Sequence, residues 1–331
     1  MAISTKLTRR LGIERPVMLA PMGFVSGGAL AAAVSAAGGF GIIGGGYADL
    51  DWLEREFAAA GNRAVGCGFI TWALAERPGS LDSALSHQPA AIMLSFGDAG
   101  LFLPKIKSAG VPAICQVQTL AQARAVLMEG ADIIIAQGTE AGGHGGGRST
   151  LPLVPAVVDM VASSRRDVPV VAAGGITDGR GLAAALMLGA DGVLMGTRFS
   201  VASESLASPG AKARVVAASG DDTLRTTVFD IVRGYCWPKE YTGRAVCNRF
   251  VGEWHGREGA LRRDETERGR YAEAATRGDA DIAVVFAGEG IDLIHSTEPA
   301  AVILDSVVKE AEAALSRPIL NDQKVLAPAG Q

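Results

Sequence analysis

Eight short, mostly apolar runs recur along the first two-thirds of this 331-residue chain, continuous in character rather than alternating. They lie at 16–20 (PVMLA), 40–44 (FGIIG), 64–69 (AVGCGF), 91–95 (AIMLS), 113–117 (AICQV), 132–136 (DIIIA), 169–173 (PVVAA) and 191–195 (DGVLM). Between most of them stand Ala/Leu-rich stretches of helical pattern, at 29–37, 51–60, 99–108, 119–129, 154–164 and 179–189, and 79–87 and 203–218 can also be helical. A strand apolar at every position is buried on both faces, which is the condition of a parallel sheet. Eight strand–helix alternations in about 200 residues fit an α/β (β/α)8 TIM barrel better than a doubly wound sheet. The open sheet stays the alternative, but the G-x-G-x-x-G fingerprint it would carry after its first strand is replaced here by PMGFVSGG.

Residues 219–280 break the rhythm. They hold DDTLRTTVFD, then GYCWPKEYTGRAVCNRF, then a strongly charged stretch from Glu253 to Arg277. That is too long for a loop between a helix and a strand. The expectation is a small, mostly helical subdomain inserted near the last barrel unit, with 1–218 and 281–331 forming the barrel. Helix 299–315 then closes the barrel and 317–331 forms a tail.

With 48% apolar and 20% charged residues, the chain can bury a core of real size. A net charge of −4 gives no basic surface to recommend nucleic acid or an anionic membrane as a partner. Cys67, Cys115, Cys236 and Cys247 show neither CxxC pairing nor zinc-ligand spacing, and read as thiols of a reducing compartment. No charge occurs from Pro16 to Tyr47, and Lys6, Arg9 and Arg10 precede that stretch in the order of a signal peptide. Glu14, Arg15, Pro21 and the glycine pairs at 27–28 and 38–39 interrupt it, so a buried strand–helix–strand unit and a cytoplasmic protein are expected.

In such barrels catalytic groups sit on the loops after the strands, and a phosphate commonly binds after the seventh and eighth. Those loops here begin AAGGITDGRG and MGTRFSVASES. Gly174 and Gly175 allow close backbone approach to an anion, and Gly196 and Thr197 offer N–H groups and a hydroxyl on the neighbouring strand. The ligand implied is a phosphorylated cofactor. Asp98 and Asp178 read as helix N-caps, and Glu204 and Ser205 as helix-start residues.

The loop after DIIIA reads QGTEAGGHGGG. Gln137 can hydrogen-bond a planar heterocycle, Glu140 can brace the loop, and Gly142 and Gly143 remove side chains that would hold a ligand away. His144 alone among the four histidines follows a barrel strand, and an imidazole there can take or give a proton near neutral pH. His87 and His295 read as structural. No HxH, HExxH or neighbouring Asp or Cys suggests a metal at His144, and no GxSxG supplies a serine nucleophile.

With these loops in place the chain resembles the nitronate monooxygenase family, formerly the 2-nitropropane dioxygenases. The resemblance runs through LAPMGFVSGGALAAAVSAAGGFGIIG, AQGTEAGGHGG, VVAAGGITDGRGLAAALMLGADGVLMGTRF and, more weakly, AGEGIDLIHSTEPAAVIL. It implies an FMN-dependent barrel with a helical lid at 219–280. Gln137, Gly142, Gly175 and the stretch Leu194, Met195, Gly196 and Thr197 would bind FMN, and Met22 and Gly23 would lie against the flavin. His144 would be the base that deprotonates a nitroalkane. Electron transfer from the nitronate to FMN and attack by O2 would then give a carbonyl compound and nitrite. Three positions depart from the family pattern: Gly66–Cys67–Gly68 replaces a GVN segment, Gln116 stands where many members carry lysine, and the positive charge after His144 moves to Arg148. Arg148 is either an anion-holding residue or a solvated one.

The related enoyl-ACP and NADH:quinone reductases keep a second reading open, an NAD(P)H-dependent FMN reductase of quinones or enoyl thioesters. A third is a phosphate-binding barrel without flavin. Tyr241, Trp237 and Trp254 form either a lid over the flavin or the insert's own core, and an oligomer is compatible with everything above.

Overall fold

The computed structural model describes residues 3–317, and most of the expected tail lies outside them. Its strands, in chain order, are β1 (Val17–Leu19), β2 (Ile42–Gly46), β3 (Gly66–Ile70), β4 (Ile92–Ser95), β5 (Ala113–Val117), β6 (Ile133–Gln137), β7 (Gly143–Gly145), β8 (Val170–Ala173), β9 (Gly192–Met195), β10 (Thr223–Thr226) and β11 (Thr242–Val246). Eight of them form one parallel sheet in the order β1-β9-β8-β6-β5-β4-β3-β2. Phe40, just before β2, bridges back to Met18 of β1, with Leu19 N–H donating to Phe40 O at 2.9 Å and Phe40 N–H to Val17 O at 3.0 Å. The sheet is thereby a TIM barrel.

Side-chain alternation along each strand sorts the apolar runs into two cores. Cys115, Val117, Ile134, Ala136, Val193 and Met195 face outward into the layer beneath the helices. Met18, Ile42, Met93, Ile114, Ile133, Ile135, Val171 and Leu194 fill the interior. Helix Lys6–Leu11 plugs the lower end with Leu7 and Leu11. The inward aliphatic series stops at the upper rim, where parity places Gly68, Ser95, Gln116, Gln137 and Ala173. Small and polar residues there leave a cavity instead of a packed layer.

Local signals agree with this layout. Asp49, Thr119 and Asp178 accept N–H bonds at the starts of helices Leu50–Ala60, Leu120–Glu129 and Gly179–Met187, as N-caps do. Asp98 caps a single 3-10 turn. Glu204 starts no helix of its own sequence neighbourhood; its carboxylate accepts from Ala300 N–H at 3.0 Å and caps helix Ala300–Leu315.

The segment 219–280 holds helices Val228–Arg233, Arg249–Trp254, Glu258–Leu261 and Glu265–Thr276, packed around Phe229, Phe250, Val251 and Tyr271. It also carries β10 and β11. These pair antiparallel with each other and with β7, a strand from the loop after β6. A three-stranded sheet therefore joins the insert to the barrel's upper rim.

Candidate active site

That small sheet positions His144. In the β7–β11 pairing Gly143, His144 and Gly145 face Arg244, Gly243 and Thr242. Two arginines lock the arrangement. Arg225 donates to the carbonyls of Thr139, Gly145 and Thr242 and to the Thr242 hydroxyl. Arg244 donates to Thr139 O at 3.1 Å and pairs with Glu289 at 2.6 Å. Burial and the neighbouring Arg244 lower the Arg225 pKa to about 10. Glu140 braces the loop by accepting from both the N–H and the hydroxyl of Thr150.

The imidazole of His144 is buried and its Nε2 lies 2.9 and 3.0 Å from the two carboxylate oxygens of Asp230. A carboxylate only accepts, so Nε2 carries the proton of the neutral ring and the lone pair is left on Nδ1. Burial lowers the His144 pKa, Asp230 opposes that shift, and Arg233 and Arg225 add to it. The ring is thus held neutral, oriented and basic at one atom.

Asp230 went unnoticed in the sequence, yet a signal was present. It sits within the apolar run Val228-Phe229-Asp230-Ile231-Val232, and an acid buried in such a run requires a partner.

A cavity of about 520 Å³ opens above the barrel rim. Of the residues expected to hold a cofactor, it brings together Met22, Gly23, Gln116, Gln137, Gly142, Gly143, Gly174, Gly175, Leu194, Gly196 and Thr197, with His144 among them. Met195 is placed elsewhere. It is fully buried in the outward-facing core, one residue out of phase with Leu194. Arg148 is half-buried and is not in the cavity wall.

Two candidates serve the scaffold in a way the sequence did not disclose. The Gln137 side chain donates to His144 O at 3.1 Å and accepts from Gln118 Nε2 at 2.9 Å, fixing the histidine's backbone. Gly142 admits the backbone of residues 287–288: a Cβ there would lie 2.6 Å from Ala287 C.

The aromatic residues of the insert divide. Trp237 lines the cavity, whereas Trp254 packs into the insert's own core and donates to Glu267 at 3.1 Å. Tyr241 accepts from Gln122 Nε2 at 2.9 Å and meets Phe96 edge-on. Phe96 also lines the cavity and holds a φ of 65°, a conformation that costs a bulky residue energy and is typical of functional loops. His87 stacks on Phe57 and pairs with Glu54 at 3.0 Å, a structural role.

Comparison with known proteins places this arrangement. A nitronate monooxygenase of Neurospora crassa is 33% identical over 344 residues, covering 90% of each chain. An octahydro-indene carboxyl-CoA dehydrogenase of Mycobacterium tuberculosis is 39% identical over 236 residues, covering 70% of this chain and 65% of that one. The solved structure of FabK from Thermotoga maritima superposes with a TM-score of 0.80 at 30% identity, covering 95% of this chain and 97% of that one. The family model described as nitronate monooxygenase matches residues 4–65 and 73–310, which span the barrel rim, His144, Asp230 and the insert alike. By that match the chain belongs to the nitronate monooxygenase family of flavin-dependent oxidoreductases.

Proposed function

We propose that the chain is an FMN-dependent nitronate monooxygenase. It oxidises alkyl nitronates, and nitroalkanes that it first deprotonates, with O2 to a carbonyl compound and nitrite. The observation that carries the reading is the buried His144–Asp230 pair facing a glycine-rimmed cavity in a chain of this family.

The residues present fit FMN. Thr177 Oγ1 is buried in the cavity wall beside Gly175 and has no hydrogen-bond partner among the described residues, so a phosphate oxygen would satisfy it. A Cβ on Gly196 would meet nothing closer than Ala20 Cβ at 3.5 Å and Met22 Sδ at 3.6 Å, which leaves room for a ligand at that glycine. Gly174, Gly175, Gly196, Thr197 and Thr177 would hold the phosphate, and Met22, Gly23, Gln116 and Gly143 would border the isoalloxazine. FMN bound there supplies the redox chemistry, taking electrons from the nitronate and passing them to O2.

The chain's own part is acid–base and steric. His144 Nδ1 takes the α-proton of a neutral nitroalkane, and Asp230 stabilises the imidazolium that results. Trp237, Phe96 and Tyr47 keep bulk water from the developing carbanion. The segment 219–280 acts as lid and substrate subdomain, since it contributes Asp230, Arg233 and Trp237. The four free cysteines support a reducing, cytoplasmic compartment, and no helix of the described residues is long and apolar enough to cross a membrane.

The test is anaerobic mixing of the yellow protein with a nitronate, NADH and NADPH in separate runs. Bleaching by the nitronate alone is the expected result. Bleaching by a nicotinamide with no response to nitronate would transfer the protein to the reductases of enoyl thioesters or quinones. A colourless protein that takes up no FMN would remove both readings.

A further inference from the structure

We propose that Arg233 is the anion-holding, specificity-determining residue of this site, binding the paired oxygens of an ionised nitronate at the cavity wall. The identity of the anion rests on the proposed activity; the site itself does not.

Arg233 ends helix Val228–Arg233, three residues after Asp230, and lines the same cavity as His144, Tyr47 and Trp237. Its guanidinium lies 4.6 Å from the centroid of the Tyr235 ring. That ring is stacked on Tyr47 at 3.9 Å, and the Tyr47 hydroxyl accepts from Trp237 Nε1 at 3.1 Å. Trp237 in turn lies against His144. One continuous packed series therefore links the cation to the base.

Arg225 and Arg244 beside the His144 loop, and Lys212 in the cavity wall, are committed; Arg148 is not in the cavity wall. Arg225 and Arg244 are consumed by the loop carbonyls and Glu289. Lys212 donates to the carbonyls of Ala202 and Ser203. Of the two cations lining the cavity, Lys212 and Arg233, only Arg233 makes neither an ion pair nor a side-chain hydrogen bond among the described residues. Stacking on Tyr235 orders its plane without using its N–H donors.

A nitronate is planar and spreads one negative charge over two oxygens, as a carboxylate does, so it matches the guanidinium fork. Asp230 on the same helix would repel such an anion, and Arg233 offsets it. A neutral nitro group presents the same oxygens without the net charge and gains far less. Arg233 is therefore expected to favour ionised nitronate over neutral nitroalkane.

The holoenzyme, Arg233→Met and Arg233→Lys are compared in two measurements. The first is steady-state oxidation of ethyl nitronate and of nitroethane. The second is calorimetric titration with benzoate, a planar oxyanion that cannot be turned over. Arg233→Met should raise KM for the nitronate and Kd for benzoate about tenfold or more, with kcat and the nitroethane KM changing less than about threefold. Arg233→Lys, which keeps the charge and loses the fork, should fall between. Equal benzoate affinity in the parent and Arg233→Met, or equal losses on both nitro substrates, would overturn the assignment. If no variant oxidises nitronate but benzoate still separates parent from Arg233→Met, Arg233 stands as an anion site and only the proposed activity falls.

Discussion

Trp237 lies flat against the His144 imidazole, with ring centroids 3.4 Å apart and planes within 3° of each other. The indole is part of the burial that lowers the histidine's pKa from 6.5. As the proposed base, His144 works only when neutral, so turnover of a neutral nitroalkane should fall as pH drops through that lowered value. Trp237→Leu lets water reach the ring and relieves the desolvation, so the pKa should rise toward its ordinary value. The acid limb of the kcat/KM profile for nitroethane should therefore move to higher pH in the variant. An unmoved limb would mean that the indole does not shield the base.

Asp230 acts on the same titration in the opposite sense. Its carboxylate accepts from His144 Nε2 and supports the charged ring. Asp230→Asn removes that support and can donate an amide N–H to Nε2, which moves the ring proton to Nδ1 and blocks the proposed base. We expect nitroethane oxidation to fall by about 10²–10⁴, the usual scale for a lost general base. Oxidation of preformed nitronate should change by less than about threefold, because it needs no proton removed. His144→Asn should show the same split. A variant that loses both activities equally would point to a folding or flavin-binding defect instead.

The barrel was legible because its strands are buried on both faces, and burial writes itself into the sequence as uninterrupted Val, Ile and Ala. The run 113–117 matches β5 residue for residue, and 169–173 misses β8 by one. The small sheet left no such trace. Gly143-His144-Gly145 has no strand propensity, and β11 carries Arg244 mid-strand; both are extended because they pair across about 100 residues of chain, which no local pattern reports. The glycine loop did mark His144, but the carboxylate that orients its ring, Asp230, comes from the insert. Arg233, on the insert, lines the cavity, whereas Arg148, which the sequence left open as an anion-holding or a solvated residue, does not.

Thr177 offers a test of the proposed phosphate site that leaves the protein's own bonding intact. Its hydroxyl is buried and without a partner among the described residues, so Thr177→Val removes an unsatisfied group and should leave the melting temperature of the apoprotein unchanged or raised. FMN affinity, measured by quenching of flavin fluorescence on titration into apoprotein, should drop about tenfold if the hydroxyl bonds the phosphate. Unchanged affinity would remove Thr177 from the cofactor's contacts.

Gly196 separates cofactor exclusion from misfolding. Gly174 is unsuitable for that purpose, because its φ of 110° and the 2.7 Å approach of Thr150 Oγ1 to a Cβ there would strain any side chain. Gly196 has a φ of −106°, and a Cβ would make only ordinary contacts, at 3.5 and 3.6 Å. Gly196 itself lines the cavity, so the added volume of a larger side chain competes there with a bound ligand. Gly196→Val should therefore fold with a stability within about 0.5–1 kcal/mol of the parent, as an unstrained, partly exposed substitution does. It should nonetheless purify without yellow colour and without nitronate oxidation. A yellow, active Gly196→Val protein would show that the flavin phosphate does not lie against this glycine, and the assignment of the two rim loops after β8 and β9 would have to be withdrawn.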